Sequence, residues 1–147
     1  MKYLSKSLEE TEKIAEDFLN SLAKPQSEEA SALVVGLFGD LGSGKTTFTQ
    51  ALGKHLGVKE IMTSPTFVIE KRYDLDNKFG FKKLIHIDAY RLDSGKEILD
   101  LDFKGDLNNK NNLILIEWPE RVEGVLPANL VKINLKFVSE NEREIEF

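Results

Sequence analysis

The chain has 147 residues, 41% of them apolar and 31% charged, with no cysteine and a formal net charge of −5 at pH 7. Such a composition builds one domain around a real core, not a fibre or a disordered chain, and the lack of cysteine excludes disulfides, thiolate zinc sites and cysteine nucleophiles. The acidic balance argues against gripping nucleic acid by phosphate neutralisation, so any role in nucleic-acid biology is expected to run through a partner.

The opening "MKYLSKSLEETEKIAEDF" turns acidic and helical where a secretory leader would need an apolar core. No apolar run approaches the roughly 18 residues that span a bilayer. A cytoplasmic location with no membrane contact is the expectation. Ser7-Leu8-Glu9-Glu10 has capping-box spacing, and Leu8, Ala15, Phe18 and Leu22 follow at helical intervals, with Pro25 expected to end the helix. "ALVVGLF" (32–38) is a short continuous apolar run, the mark of a strand buried on both faces. A glycine-rich loop follows, and then a helix from Lys45 to about Leu56 with Phe48, Ala51 and Leu52 on one face, stopped by Gly57.

"TFVIEKRYDL" and "KKLIHIDAYRL", separated by "DNKFG", predict an antiparallel hairpin. Ser94-Gly95-Lys96-Glu97 repeats the capping-box spacing and opens a short helix, and "NLILIEW" (112–118) is another buried strand. Pro119 and Pro127 frame an irregular segment before a closing pair, "LVKINLKFV" and "REIEF". No internal repeat or linker breaks the chain, so residues 1–147 are expected to form a single domain. Strands alternating with helices predict an α/β fold. The expected form is a three-layer P-loop NTPase-like sandwich, its central sheet mostly parallel with antiparallel hairpin additions.

Gly39-Asp40-Leu41-Gly42-Ser43-Gly44-Lys45-Thr46 satisfies G-x-x-x-x-G-K-[ST]. Each residue type has a physical reason. Glycines let successive amides turn inward around a phosphate that side chains would block. The following helix aims its unpaired N–H groups and positive dipole end at the same anion. Lys45 can reach the β- and γ-phosphates, the Thr46 hydroxyl can bind Mg²⁺, and Thr47 is placed to meet the α-phosphate. A ligand-free strand-to-helix turn is the alternative. With glycine at about 7% of residues, the bare pattern arises in on the order of half a per cent of chains this long, and here a buried strand precedes it and a helix with no capping side chain follows.

Guanine recognition would call for Asn-Lys-x-Asp, and the nearest string, Asn109-Lys110-Asn111-Asn112, lacks the aspartate. Adenine is favoured by that absence. Phosphoryl chemistry also needs a carboxylate for the metal's water shell and a group to orient the attacking water. Two strands end in acids where open α/β sheets place ligands. In the first, Leu84, His86, Asp88 and Tyr90 share one face; the second, Leu113 to Ile116, ends in Glu117. Taken alone, Asp88 reads equally as a turn or cap aspartate, and Glu117 as a strand-end charge left in water.

"GDLGSGKTTFTQ", "SPTFVIEKRYD", "HIDAYRL", "IEWPER" and "GVLP" occur in the order and spacing of the TsaE (YjeE) family, which the chain resembles over roughly positions 8 to 145. The family consists of bacterial P-loop ATPases needed to make N6-threonylcarbamoyladenosine (t6A) in tRNA. The resemblance implies ATP and Mg²⁺ as cofactors and TsaD and TsaB as partners, with tRNA met only through them. It places the nucleotide-binding loop on Gly39 through Thr47 and the metal-binding threonine on Thr46. Its essential aspartate falls on Asp88, and its Glu-Trp pair on Glu117, beside the metal, and Trp118. Ser64 to Phe67 takes the place of a switch-like loop near the γ-phosphate. Thr11 and Arg143 fall near where the family covers the adenine, and each reads equally as a plain surface residue.

One segment departs from the family pattern. In "DLDFKGDLNNKNN" (100–112) Asp102 stands where the family has glycine, so helix placement and partner contacts are not carried over there. His86 reads as a packed strand histidine, and His55 is given no role. Two other function classes remain open. A small-molecule P-loop kinase would want an arginine-bearing lid, and the four arginines, Arg72, Arg91, Arg121 and Arg143, are not clustered in one segment. A nucleotide-gated binding module would have no turnover at all.

Overall fold

Two of the apolar runs lie side by side in the middle of a seven-stranded sheet. In chain order the elements are β1 (Lys2–Ser5), α1 (Leu8–Ser21), β2 (Leu33–Phe38), α2 (Lys45–His55), β3 (Glu70–Asp74), β4 (Lys83–Asp88), α3 (Lys96–Leu99), α4 (Phe103–Leu107), β5 (Asn112–Glu117), a 3-10 helix (Pro119–Val125), β6 (Val131–Ser139) and β7 (Glu142–Glu146). This computed structural model describes residues 1–22, 31–65, 69–99 and 101–147. Pro25, Thr66 and Phe67, and the start of the run "TFVIEKRYDL", lie outside the described residues.

The strand order is β1-β7-β6-β2-β5-β4-β3. The inner pairings β6–β2, β2–β5 and β5–β4 are parallel, and the outer ones, β1–β7, β7–β6 and β4–β3, are antiparallel. The parallel part is therefore the centre, where every residue of β5 is buried, as strands covered by helices on both faces require. The two hairpins form the flanks. Side-chain alternation sends Val35, Leu37, Leu84, Leu113 and Leu115 to one face, packed by Ile14, Phe18, Phe48 and Leu52 of α1 and α2. It sends Val34, Ile85, Ile87, Ile114 and Ile116 to the other, packed by Ile98, Phe103 and Val122. The result is an α/β sandwich of three layers. Phe48 is fully buried, and removing a side chain of that kind from water contributes about 1.5–3 kcal/mol.

Local chemistry explains the element ends, with some differences from the sequence reading. β1 has no counterpart in that reading: four residues with mixed side chains carry too little period to announce a strand, and pairing with β7 creates it. Ser7 caps α1 by accepting from the Glu10 amide at 3.1 Å, but the Glu10 carboxylate reaches one residue further back, to the Lys6 amide at 2.6 Å. The buried stripe of α1 is Thr11, Ile14, Ala15, Phe18 and Leu19, so Leu8, expected on the packed face, is instead 61% exposed in the first turn. His55 ties α2 to α1 through its Nε2 and the Glu12 carbonyl at 2.9 Å, beside the Lys54–Glu12 ion pair.

In the departing segment, Asp102 precedes α4 with φ 61° and ψ 36°. That is the left-handed region, which glycine enters freely and aspartate better than most residues. A glycine, which the resemblance puts at this position, would enter the turn freely, and this chain meets it with a strained residue. Asp106, four residues on, receives both terminal nitrogens of Arg72, fastening α4 to β3. We expect stability to fall in the order Asp102→Gly, wild type, Asp102→Val, the last lower than wild type by about 1–2 kcal/mol because a β-branched residue resists positive φ. Urea denaturation of the three proteins checks the order. Among the described residues no helix is long and apolar enough to cross a membrane.

Candidate functional site

β2 ends at Phe38 and the chain loops from Gly39 to Gly44 before α2. Gly44 caps the helix in the left-handed region (φ 97°) with no side-chain bond to the first turn. The first helical amide to find a carbonyl is that of Phe48, on Gly44 at 2.9 Å. Helix geometry therefore leaves the amides of Lys45, Thr46 and Thr47 aimed outward, in the manner of an anion cradle. At Gly39 (φ 155°) a Cβ would run into the Ser43 hydroxyl and the Leu135 carbonyl, so only glycine fits. Ser43 itself is buried and its hydroxyl has no hydrogen-bond partner among the described residues. Leu41 stands exposed at the loop's tip.

Lys45 folds back over the loop and donates to the Gly39 carbonyl and, at 3.0 Å, to the Asp40 carbonyl. Its ammonium sits 4.2 Å from the centre of the Trp118 ring. Burial pushes this ammonium below the ordinary lysine value, against the opposing pull of Glu117, Glu120, Asp40 and Asp88. Four carboxylates thus act on one cation. In the parallel pairing of β4 with β5, Asp88 stands opposite Glu117, so both strands deliver an acid to the same end of the sheet. The Asp88 carboxylate accepts from the Tyr90 amide at 3.0 Å, an Asx turn that ends the strand.

Glu117 is 2% exposed and has both oxygens engaged. Oε1 accepts from the Thr46 hydroxyl at 3.0 Å, and Oε2 contacts His86 Nε2 at 2.6 Å. The next residue, Trp118, adopts φ 60° and ψ 49°, a left-handed turn that swings the chain from β5 into the 3-10 helix. Its ring lies against Tyr90, tilted by 48° with centroids 5.0 Å apart, and the Arg121 guanidinium lies 5.3 Å from the Tyr90 ring. Tyr90 and Arg121 were not among the predicted site residues. Both had a signal: Tyr90 shares the alternating face of His86 and Asp88, and Arg121 ends the run "IEWPER".

Two recesses meet over the start of α2. One is walled by the loop residues Leu41, Gly42 and Gly44, by Lys45, Thr46 and Thr47, and by Ser64, Asp88, Tyr90, Glu117 and Trp118. The other is walled by Ser5, Lys6, Ser7, Leu8 and Thr11 from the N-terminal strand and helix, and by Leu135, Glu140, Asn141 and Ile145 from the closing hairpin. Gly44, Thr47 and Arg143 line both, so the two form one elongated trough. The stem of Arg143 lies over Gly44, and its guanidinium donates to the Ser139 and Glu142 carbonyls and covers Phe137. Thr11 lies at the far end, where its hydroxyl pairs with Ser5 Oγ at 2.6 Å. Sequence-predicted residues from six separate segments converge on this trough, with the outward amides of the loop and α2 at one end and a mixed apolar and hydroxyl pocket at the other.

Residues 5–145 match the protein family described as "Threonylcarbamoyl adenosine biosynthesis protein TsaE". The chain belongs to the TsaE family. It is 37% identical over 147 residues to the tRNA threonylcarbamoyladenosine biosynthesis protein TsaE of Bacillus subtilis, covering all of this chain and 84% of that one. It is 40% identical over 136 residues to the TsaE of Rickettsia felis, covering 92% of this chain and 72% of the other. The crystal structure of Bacillus subtilis YdiB superposes with a TM-score of 0.69 at 32% identity, over 99% of this chain and 82% of that one. The TsaE motifs quoted above thus sit on an architecture that a solved structure shares.

Proposed function

We propose that this chain is a Mg²⁺-dependent ATPase of t6A synthesis, a single cytoplasmic domain over residues 1–147. It works by binding and hydrolysing ATP while docked on TsaD and TsaB, which hold the tRNA. The observation that carries the reading is the chain of contacts Thr46–Glu117–His86, with Asp88 in register beside it, at the mouth of the 39–47 loop. Those groups are what phosphoryl transfer to water asks of a protein: a phosphate cradle, a cation and paired carboxylates.

The amides of the loop and of the first turn of α2 hold the phosphate tail, and Lys45 leaves the Gly39 and Asp40 carbonyls to follow it. Thr11 and Arg143 border the space for the nucleoside. The donor set fits Mg²⁺. The Thr46 hydroxyl commits its proton to Glu117, which leaves its lone pairs for a hard cation, and oxygen is the only ligand type offered there. Among the described residues no group of three or more His, Asp or Glu converges to cage a metal, as expected for an ion held largely by nucleotide phosphates and water. When bound, Mg²⁺ would supply positive charge to a tetraanionic tail entering a recess whose two cations, Lys45 and Arg143, are already matched by two carboxylates, Asp88 and Glu117. Asp88 and Glu117 hold and orient water, and Trp118 with Tyr90 shields that end from bulk solvent.

ATP- and ADP-bound forms would differ in affinity for the partners, so hydrolysis shifts the assembly between rounds of transfer. A small-molecule kinase is disfavoured because the arginines stand apart: Arg72 is bound to Asp106 and Arg121 lies on Tyr90. The deciding experiment reconstitutes tRNA threonylcarbamoylation from TsaD, TsaB, tRNA and ATP with and without this chain, and measures phosphate release. We expect modification over repeated rounds only with the chain, and free phosphate with no phosphorylated acceptor. Equal modification without it, or a phosphorylated small molecule, sinks the proposal.

A further inference from the structure

His86 is the partner of Glu117 on the neighbouring strand. It lies on β4, two residues before Asp88 on the same face, and reaches across to β5. Its side chain is 1% exposed and that of Glu117 3%, and the two meet at 2.6 Å. A carboxylate can only accept, so the shared proton is carried by Nε2. The other ring nitrogen, Nδ1, is buried and has no hydrogen-bond partner among the described residues.

That orphan is informative. Burying a polar atom without a partner is destabilising, and an aliphatic residue in this packed position would avoid the penalty. Removing the imidazole, however, would strip Glu117 of one of its two bonds among the described residues. Glu117 is also the carboxylate that pulls most strongly on Lys45. A carboxylate held at one oxygen keeps its other oxygen on Thr46; a carboxylate released at that oxygen is free to rotate toward the ammonium. The pair therefore has a use only if the direction of Glu117 matters.

We infer that His86 is a positioning residue: its Nε2–H pins Glu117 so that Oε1 stays on the Thr46 hydroxyl and away from Lys45. The inference rests on the ATPase reading above. Fixing an acid from behind by an imidazole is the means by which outer groups tune metal ligands, where loss of the partner typically weakens metal affinity or activity 10–100-fold.

Three variants test it. His86→Leu removes the donor, His86→Asn places an amide nitrogen near Nδ1 and short of Glu117, and His86→Gln carries an amide donor out to the Nε2 position. Two quantities are read for each: the Mg²⁺ concentration giving half-maximal ATP hydrolysis, and the ADP dissociation constant by calorimetry in Mg²⁺ and in EDTA. For His86→Leu and His86→Asn we expect the half-saturating Mg²⁺ to rise about 10–100-fold, with a comparable loss of kcat. ADP binding in EDTA should stay within about threefold of wild type, and the gain in ADP affinity on adding Mg²⁺ should shrink. His86→Gln should recover most of both. If His86→Leu does not fold, His86→Asn against His86→Gln decides alone. Leu or Asn variants with wild-type Mg²⁺ dependence, or a Gln variant no better than they are, overturn the inference while leaving the ATPase reading intact. A wild type that neither hydrolyses ATP nor binds ADP more tightly with Mg²⁺ overturns that reading, and the inference with it.

Discussion

Replacing Lys45 by alanine should weaken ATP binding by about 10–100-fold and abolish measurable hydrolysis, while leaving the fold intact. The magnitude follows from the charge: hydrogen bonds to a charged group contribute about 1.5–3 kcal/mol, and each 1.4 kcal/mol is tenfold in affinity. The unligated protein should barely notice. The ammonium is buried, which disfavours its charge, and its bonds to the Gly39 and Asp40 carbonyls and its place on Trp118 only offset that penalty. Deleting the side chain removes both sides of the balance together. Thermal unfolding should therefore shift by a few degrees at most, whereas calorimetric titration with ATP and Mg²⁺ should lose its signal. In the reconstituted system the variant should fail to support modification. Full modification by Lys45→Ala would discard the ATPase role.

Asp88→Asn should do the reverse, keeping the nucleotide and losing the chemistry. An asparagine oxygen can still accept from the Tyr90 amide, so the Asx turn that ends β4 survives. What disappears is one negative charge beside Glu117. Taking a carboxylate out of that recess should leave ATP affinity unchanged or somewhat higher. Phosphate release should fall by about 10²-fold or more, the usual contribution of a positioned proton acceptor. Hydrolysis within threefold of wild type would remove Asp88 from the mechanism. The same variant separates turnover from mere gating. Nucleotide binding retained with modification lost means that hydrolysis is required; modification retained at the wild-type level favours a nucleotide-gated module.

How far these roles could be read in advance depended on how local their causes are. The 39–44 loop was legible because its requirements are satisfied within a dozen residues: a buried strand, glycines where the backbone turns left-handed, and a helix start with no side-chain cap. The positions of Asp88 and Glu117 at strand ends followed from alternation and apolar length. The long central strands and both hairpins were legible for the same reason. Leu8 was misplaced because a helical interval alone does not say which turn meets the sheet; β1 pairs with the closing hairpin and leaves the first turn of α1 outside the packed stripe.

Other features have no local cause. The Thr46–Glu117 bond joins residues 71 apart, and His86–Glu117 joins residues 31 apart. Both depend on the parallel registers of β2, β4 and β5, which no short segment encodes. The trough likewise exists only because α1 and the β6–β7 hairpin close against the start of α2, bringing Thr11 and Arg143 to one ligand-sized space. By itself, then, the sequence determined the strand, glycine loop and helix around residues 33–55, the α/β architecture and the TsaE motifs, since each rests on residue types at short spacing. Only the tertiary structure decided that Glu117 is gripped from two sides, that Asp102 and Trp118 sit in left-handed turns, and that the two recesses join. Such facts arise where distant strands meet, and the free energy that fixes them belongs to the packed sheet as a whole.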